Sequence, residues 1–354
     1  MKKGCLLLLM IVLLVYGYQA YQVVNIYQND VLKIKITGKL SDITEKVQPV
    51  PLEIPDSGAV RNVKHVRRDG NNLFMLSDNR LLHFDMKGKF INQLARDISG
   101  ENGKMIVEYV LDTINHHALV IDNERNMCTF DYSGNLISSI RIDKPWHKIT
   151  ALVFHNGYLW ATAETLVKNK DNSDSYLIEH NLYQLDMNMN EISSQTLRMA
   201  SSGKKKIFNS FYVEELLVDE QGVYAYSSIS DASILLEDTL NIVRQKKIPL
   251  LYKDAQYGMA CIYPVRKGKR HYLSSCYNNG FTFCYDDMKQ TAYMLADGFE
   301  DDFYKTGHVM DLQPMDIYND TYCFLKSGKD ITKKFPKRAR NSDLPVLFIL
   351  QLNV

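Results

Sequence analysis

One pattern recurs along this chain about every fifty residues, and a repeat of that length restricts the fold more than any other feature. An apolar strand runs into Asp, passes through a short polar or Gly-containing turn and resumes as a strand. It reads LLHFDMKGKFI from Leu81, MCTFDYSGNLI from Met127 and LYQLDMNMNEI from Leu182. FTFCYDDMKQTAY from Phe281 is a degenerate copy, and ILLEDTLNIV from Ile234 fills the remaining slot. With Asp85, Asp131, Asp186, Asp238 and Asp286 as markers, the spacings are 46, 55, 52 and 48 residues. Each marker reads as a hairpin turn: the Asp accepts turn amides, Gly88 or Gly134 takes positive φ, and a new strand begins.

Upstream of each marker lies another strand (NNLFMLS, HHALVID, GYLWATA, GVYAYSS or HYLSSCY) with a further one before it. Each unit therefore supplies three or four short antiparallel strands. Helical periodicity is scarce, apart from a short turn over residues 40–46 and a polar patch over 199–206. A β-solenoid needs shorter repeats and a sandwich lacks such regularity, so the pattern predicts an all-β, six-bladed β-propeller. Blades are expected near 60–98, 105–145, 148–200, 208–252, 255–300 and 306–354. The last has only three strands of its own, Val309 to Met315, Tyr318 to Leu325 and Val346 to Leu352. Val50 to Ile54 is expected to complete it, so that an N-terminal strand closes the ring and hides its edges.

Lys2 and Lys3 precede an apolar run from Cys5 to Tyr16, followed by the small residues Gly17 and Ala20. This reads as a signal peptide over residues 1–20, cut after Gly17 or Ala20, with a retained anchor as the alternative. Residues 21–354 then form a single propeller domain. Cys5 stands before the apolar run, which argues against lipid attachment. Removing Lys2 and Lys3 takes the 42 basic residues to 40, against 41 acidic ones. Such a balance offers no field for nucleic acid or an anionic membrane. A monomer is expected, without stable membrane insertion after cleavage, binding an unidentified protein or glycan.

No Gly-x-Ser-x-Gly, His-Glu-x-x-His, phosphate-binding Gly-Lys loop or dinucleotide Gly-x-Gly-x-x-Gly occurs. No catalytic, cofactor-binding or metal residue is nominated, and no cofactor is expected. His116 and His117 would point to opposite strand faces. Asp171, Ser173 and Ser175 open like a calcium loop, but Tyr176 and Leu182 occupy the Gly and closing Glu positions, so residues 166–180 read as a solvated hairpin insertion. Asp297, Glu300, Asp301 and Asp302 read as a polar inter-blade loop. Lys204 to Lys206, and Lys333, Lys334, Lys337, Arg338 and Arg340, read as solvated faces, with an acidic glycan or partner as the minority reading. Tyr158, Trp160, Tyr224, Tyr226, Tyr272, Tyr277, Tyr285 and Tyr293 are expected to pack between blades, whereas Trp146, after Pro145, is the exposed candidate for carbohydrate stacking. Five cysteines follow the leader; Cys276 could face Cys261 or Cys284 across a hairpin, or all five are small buried hydrophobes.

Several stretches together resemble the exported six-bladed β-propellers of gut and environmental Bacteroidetes, relatives in fold of NHL-repeat propellers. They are VLKIKITGKLSDITEKV leading into VPLEIPDSG, the first two blades from Asn71 and Asp122, and the terminal NSDLPVLFILQLNV. The resemblance covers nearly all of residues 30–354 and implies architecture and an extracytoplasmic location, with little chemistry. Those relatives carry a Gly-Pro-Gly-Glu-Tyr-like loop after the first blade; here DISGENGKMIVEY lacks the Pro. The leading expectation is a binding or scaffold module. The alternative is a glycan-active or other cell-surface enzyme with its site at one end of the central channel, which would need two converging carboxylates.

Overall fold

The computed structural model describes residues 33–35, 37–55, 58–98, 104–168, 176–201, 297–310, 312–316, 320–328, 331, 334–335 and 345–353, together with the strands between 214 and 295. Six four-stranded antiparallel meanders follow one another, as a propeller requires. Blade 1 comprises Val63–Asp69, Asn72–Ser77, Arg80–Asp85 and Phe90–Leu94. Blade 2 comprises Ile106–Asp112, His117–Asp122, Asn126–Asp131 and Leu136–Arg141. Blade 3 is longer: Trp146–His155, Tyr158–Lys168, Tyr176–Leu185 and Glu191–Ser201. Blade 4 comprises Glu214–Asp219, Gly222–Ser227, Ile234–Leu236 and Ile242–Arg244. Blade 5 comprises Val265–Arg266, His271–Cys276, Phe281–Asp286 and Thr291–Leu295.

Blade 6 takes Gln313–Asp316, Thr321–Lys326 and Val346–Leu352 from the C-terminal end and Thr44–Pro51 from the N-terminal end. The closing strand pairs antiparallel with Val346–Leu352, setting Val50 opposite Leu347 and Val47 opposite Leu350. Closure by an N-terminal strand is therefore as expected, but the strand begins six residues before Val50. Pro49 and Pro51 lie within it; missing an N–H, proline is tolerated on an outermost strand, where it also blocks further pairing. Leu52 to Ile54 leave the strand and tie it to blade 1, the Leu52 amide donating to the Pro345 carbonyl and the Glu53 amide to the Gly88 carbonyl.

The strands are apolar on both faces because each blade is packed between two others. Leu73, Met75, Leu82 and Phe84 of blade 1 meet Met315, Cys323 and Leu347 of blade 6, while Phe74, Leu76 and Leu81 meet Tyr109, Ala118 and Val120 of blade 2. Period-two alternation thus sorts one strand between two cores. The Asp markers do what their position implies. The Lys87 and Lys89 amides donate to Asp85, the Asn135 amide to Asp131, and the Asn188 and Asn190 amides to Asp186. Gly88 and Gly134 have φ of 82° and 94°, and Met189 takes the same left-handed place at 62°. At Gly88 a Cβ would stand 2.1 Å from the Pro51 carbonyl oxygen, so this turn also fits against the closing strand.

Several details depart from expectation. Lys33–Lys35 adds a fifth, parallel strand outside Thr291–Leu295. The short turn expected over residues 40–46 is a 3₁₀ turn at Leu40–Asp42, and the closing strand already begins at Thr44. Leu250–Asp254 and Gly258–Ile262 form a separate hairpin between blades 4 and 5, so of MACIYPV only Val265 enters the first strand of blade 5. Residues 166–168 and 176–180 continue the blade 3 sheet as a paired hairpin, Leu166 opposite Ile178 and Lys168 opposite Tyr176, and residues 169–175 lie outside the described residues. Residues 199–201 likewise continue its outer strand. Cys284 lies opposite Leu273 while Cys276 lies opposite Phe281, so the two are not directly paired across the hairpin. The side chains of Cys261 and Cys276 lie outside the described residues, as does Asp238.

Candidate functional site

An innermost propeller strand has one edge without a strand partner, so its backbone groups must find side chains or water. In blade 1 the neighbours provide them: Gln313 of blade 6 donates to the Val63 carbonyl at 3.0 Å, and the Tyr109 hydroxyl of blade 2 donates to the His65 carbonyl. A β-bulge between Lys64 and Arg67 frees that carbonyl, with His65 at φ 49°. A second bulge, between Ile106 and Glu108, turns Glu108 toward blade 1.

The two bulged strands bring four side chains together. Glu108 Oε1 accepts the Tyr109 amide at 2.9 Å, with Arg67 Nη2 at 3.4 Å and His65 Nδ1 at 3.5 Å. The Arg67 guanidinium lies 5.3 Å from the centre of the Tyr109 ring. Burial drives the Tyr109 hydroxyl far above the usual phenol range, so it remains a proton donor. The Arg67 Nε–H has no hydrogen-bond partner among the described residues. Innermost strands all start from the same end of the ring. Lys64, His65, Glu108, His147 and Lys148, each within the first three residues of its strand, therefore stand at one end of the channel.

A second polar network crosses the same pair of blades nearer the other end. His83 is buried and stacks on Phe74 with ring centres 4.3 Å apart. Its Nδ1 lies 3.2 Å from both Asn92 Oδ1 and the Tyr132 carbonyl, and its Nε2 lies 2.9 Å from Asn72 Oδ1. The Tyr132 hydroxyl donates to Asp69 at 2.8 Å, and His116 Nδ1 approaches the same oxygen at 2.7 Å. Desolvation lowers the His83 pKa, outweighing its hydrogen bonds to Asn92 and Tyr132. Burial and then the Asp69 contact raise that of Tyr132.

The residues weighed in the sequence fare differently. Trp146 is buried at 3% exposure against Tyr183, whereas Tyr158, expected between blades, is 40% exposed. Both expectations are reversed: the Trp146 ring packs on that of Tyr183, with centres 4.9 Å apart, while Tyr158 opens the second strand of blade 3 just after its hairpin turn. Trp160 and Tyr293 are packed as expected. His116 sits in a left-handed turn and His117 starts a strand, so they do not act together. Asp301 accepts the amides of Phe303, Tyr304 and Thr306, and Asp302 accepts the Ser41 amide and hydroxyl. The acidic group is a polar loop that also grips the N-terminal segment. Lys334 is not simply solvated: its ammonium donates to the carbonyls of Tyr304 and Lys305. Asp171, Ser173, Ser175, Lys204 to Lys206, Lys333, Lys337, Arg338 and Arg340, and the side chains of Tyr224, Tyr226, Tyr272, Tyr277 and Tyr285, lie outside the described residues. Among the described residues no group of three or more His, Cys, Asp or Glu is placed to hold a metal. No described helix is long and apolar enough to cross a membrane. Sequence reasoning missed His65, Arg67 and Glu108; the charged VKHVRRD strand beside a lone Glu in IVEYVLD was the available signal.

The fold has a counterpart in a Bacteroides fragilis protein described as a candidate exported protein, at a TM-score of 0.58 and 13% identity, covering 91% of this chain and all of that one. The Cps50 (Swd1) β-propeller domain of Myceliophteria thermophila is similar at 0.42 and 11%, covering 85% of this chain and 99% of that one. A Bacteroides caccae protein of unknown function gives 0.36 and 7%, over 73% and 80%. No curated protein matches. Residues 19–319 match the family model described as 6-bladed beta-propeller, in agreement with the six sheets and their closure, and the chain belongs to that family.

Proposed function

We propose that the chain acts outside the cytoplasm as a binding or scaffold module and meets its ligand at the channel end where the innermost strands of blades 1 to 3 begin. The leader-like residues 1–20 and the exported description of the Bacteroides fragilis counterpart support the location. The observation that carries the site is the meeting of His65 and Arg67 of blade 1 with Glu108 of blade 2 on two bulged strands. Bulges at a channel edge re-aim side chains toward a ligand at the cost of strand pairing. Binding is favoured over glycoside cleavage because Glu108 faces two cations instead of a second carboxylate. The other described acids of these two strands, Asp69 and Asp112, end them and are engaged in hydrogen bonds there.

A glycan array probed with the wild type and with Arg67→Ala tests the site. The wild type should retain at least one glycan, and Arg67→Ala should weaken that signal about tenfold or more, with melting nearly unchanged. A comparable loss on His116→Ala, beyond the opposite end of the channel, would place the site elsewhere.

A further inference from the structure

We infer that the group received at this channel end is an anion, a carboxylate or sulfate of an acidic polysaccharide; this rests on the channel-end reading above. The argument comes from how burial sorts the charges. On the innermost strands of blades 1 to 3 the acids are withdrawn. Asp69 accepts from the Tyr132 hydroxyl, Asp112 accepts the Ile114 and Asn115 amides at 3.0 and 3.1 Å, and Glu108 accepts the Tyr109 amide. Asp69 and Asp112 are thus engaged at the far end of their strands, leaving Glu108 as the one described carboxylate of these strands that faces Arg67 and His65, at 3.4 and 3.5 Å, against the further basic residues Lys64, His147 and Lys148.

The cations are outward. Lys64, His147 and Lys148 are exposed, and Lys64 and Lys148 have no ion-pair partner among the described residues. Arg67 is partly exposed and donates to Glu108 at 3.4 Å, while its Nε–H is buried. A partly exposed guanidinium at the channel end that also carries the exposed Lys64 and Lys148 suits a carboxylate or sulfate. The arc ends where it should for an oriented ligand: the innermost strand of blade 4, Glu214–Asp219, reads EELLVD.

Binding of polygalacturonate, dextran sulfate, neutral dextran and duplex DNA to the purified chain tests this, each at 50 and 200 mM salt. Polygalacturonate or dextran sulfate should bind, and the tighter of the two identifies the anion. Added salt should weaken that binding about tenfold, because exposed charges are screened within roughly 10 Å. Lys64→Ala and Lys148→Ala should each weaken it about threefold. Glu108→Gln keeps the acceptor for the Tyr109 amide but removes the competing charge, and should tighten it about threefold; a purely structural Glu108 would not give this gain. Equal binding of neutral dextran, tighter binding of DNA, no binding to either polyanion, or no response to the three substitutions overturns the inference. If a neutral glycan binds and Arg67→Ala abolishes it, the channel-end reading stands and only the charge argument fails.

Discussion

His83 shows how one side chain couples two blades to pH. Its imidazole is held by Asn72 and Asn92 of its own blade and by the Tyr132 carbonyl of the next, and burial lowers its pKa below the usual 6.5. The charged groups around this contact are Asp85, Asp69 and His116; the Asp85 field opposes the shift without cancelling it. With the folded pKa below the unfolded one, the unfolded chain binds more protons in between. The contribution of His83 is therefore present above 6.5 and is lost as pH falls through the lower folded value. The melting temperature should fall between pH 7.5 and 5, and His83→Gln should flatten that slope. Gln suits the position because Gln184 occupies it in blade 3, accepting from Ser193 at 3.0 Å. An unchanged slope in His83→Gln would assign the effect to another group. Asp131 and Asp186, held below the usual 3.8 chiefly by Asn135 and Asn190, act in a separate, more acidic window.

At the level of strands, the closing strand and its N-terminal extension do different work. Thr44–Pro51 completes a sheet and places Val47 and Val50 in two different cores, whereas Lys33–Lys35 only adds an outer parallel strand. A chain beginning at residue 37 should stay folded and monomeric. One beginning at 56 exposes the whole edge of Val346–Leu352 and should unfold or self-associate. Size-exclusion chromatography and thermal melts of both decide this, and an equally stable monomer from residue 56 would refute the role given to closure. These strands also show what was legible beforehand. The Asp turns could be read from sequence because their hydrogen bonds span two to four residues. The closing strand was misplaced because Pro49 and Pro51 resemble breakers until the strand is known to be outermost. Trp146 was misjudged, and the His65, Arg67 and Glu108 cluster missed, because both depend on contacts between separate strands or blades that no local pattern encodes.

For the molecule as a whole, a closed ring shares its stability among all its interfaces. Both tryptophans, Trp146 and Trp160, lie in blade 3, so their fluorescence reports one blade while far-ultraviolet circular dichroism reports every sheet. The two signals should give coincident urea transitions in the wild type. Val50→Asp places a charge in the buried interface of blades 6 and 1 and should destabilise the fold by roughly 3 kcal/mol or more. It should also separate the two transitions, with blade 3 melting after the bulk. Coincident curves in that variant would mean that the ring does not depend on its seam for cooperativity. The seam has a temporal side too. Pro51 and its partner Val346 are almost the full domain apart in sequence. At about 5–20 residues per second, the first half of the joint waits roughly 15–60 s for its mate to be synthesised. Throughout that interval the nascent chain is an open arc, and a holding factor or passage through an export pore has its opportunity before the latch engages.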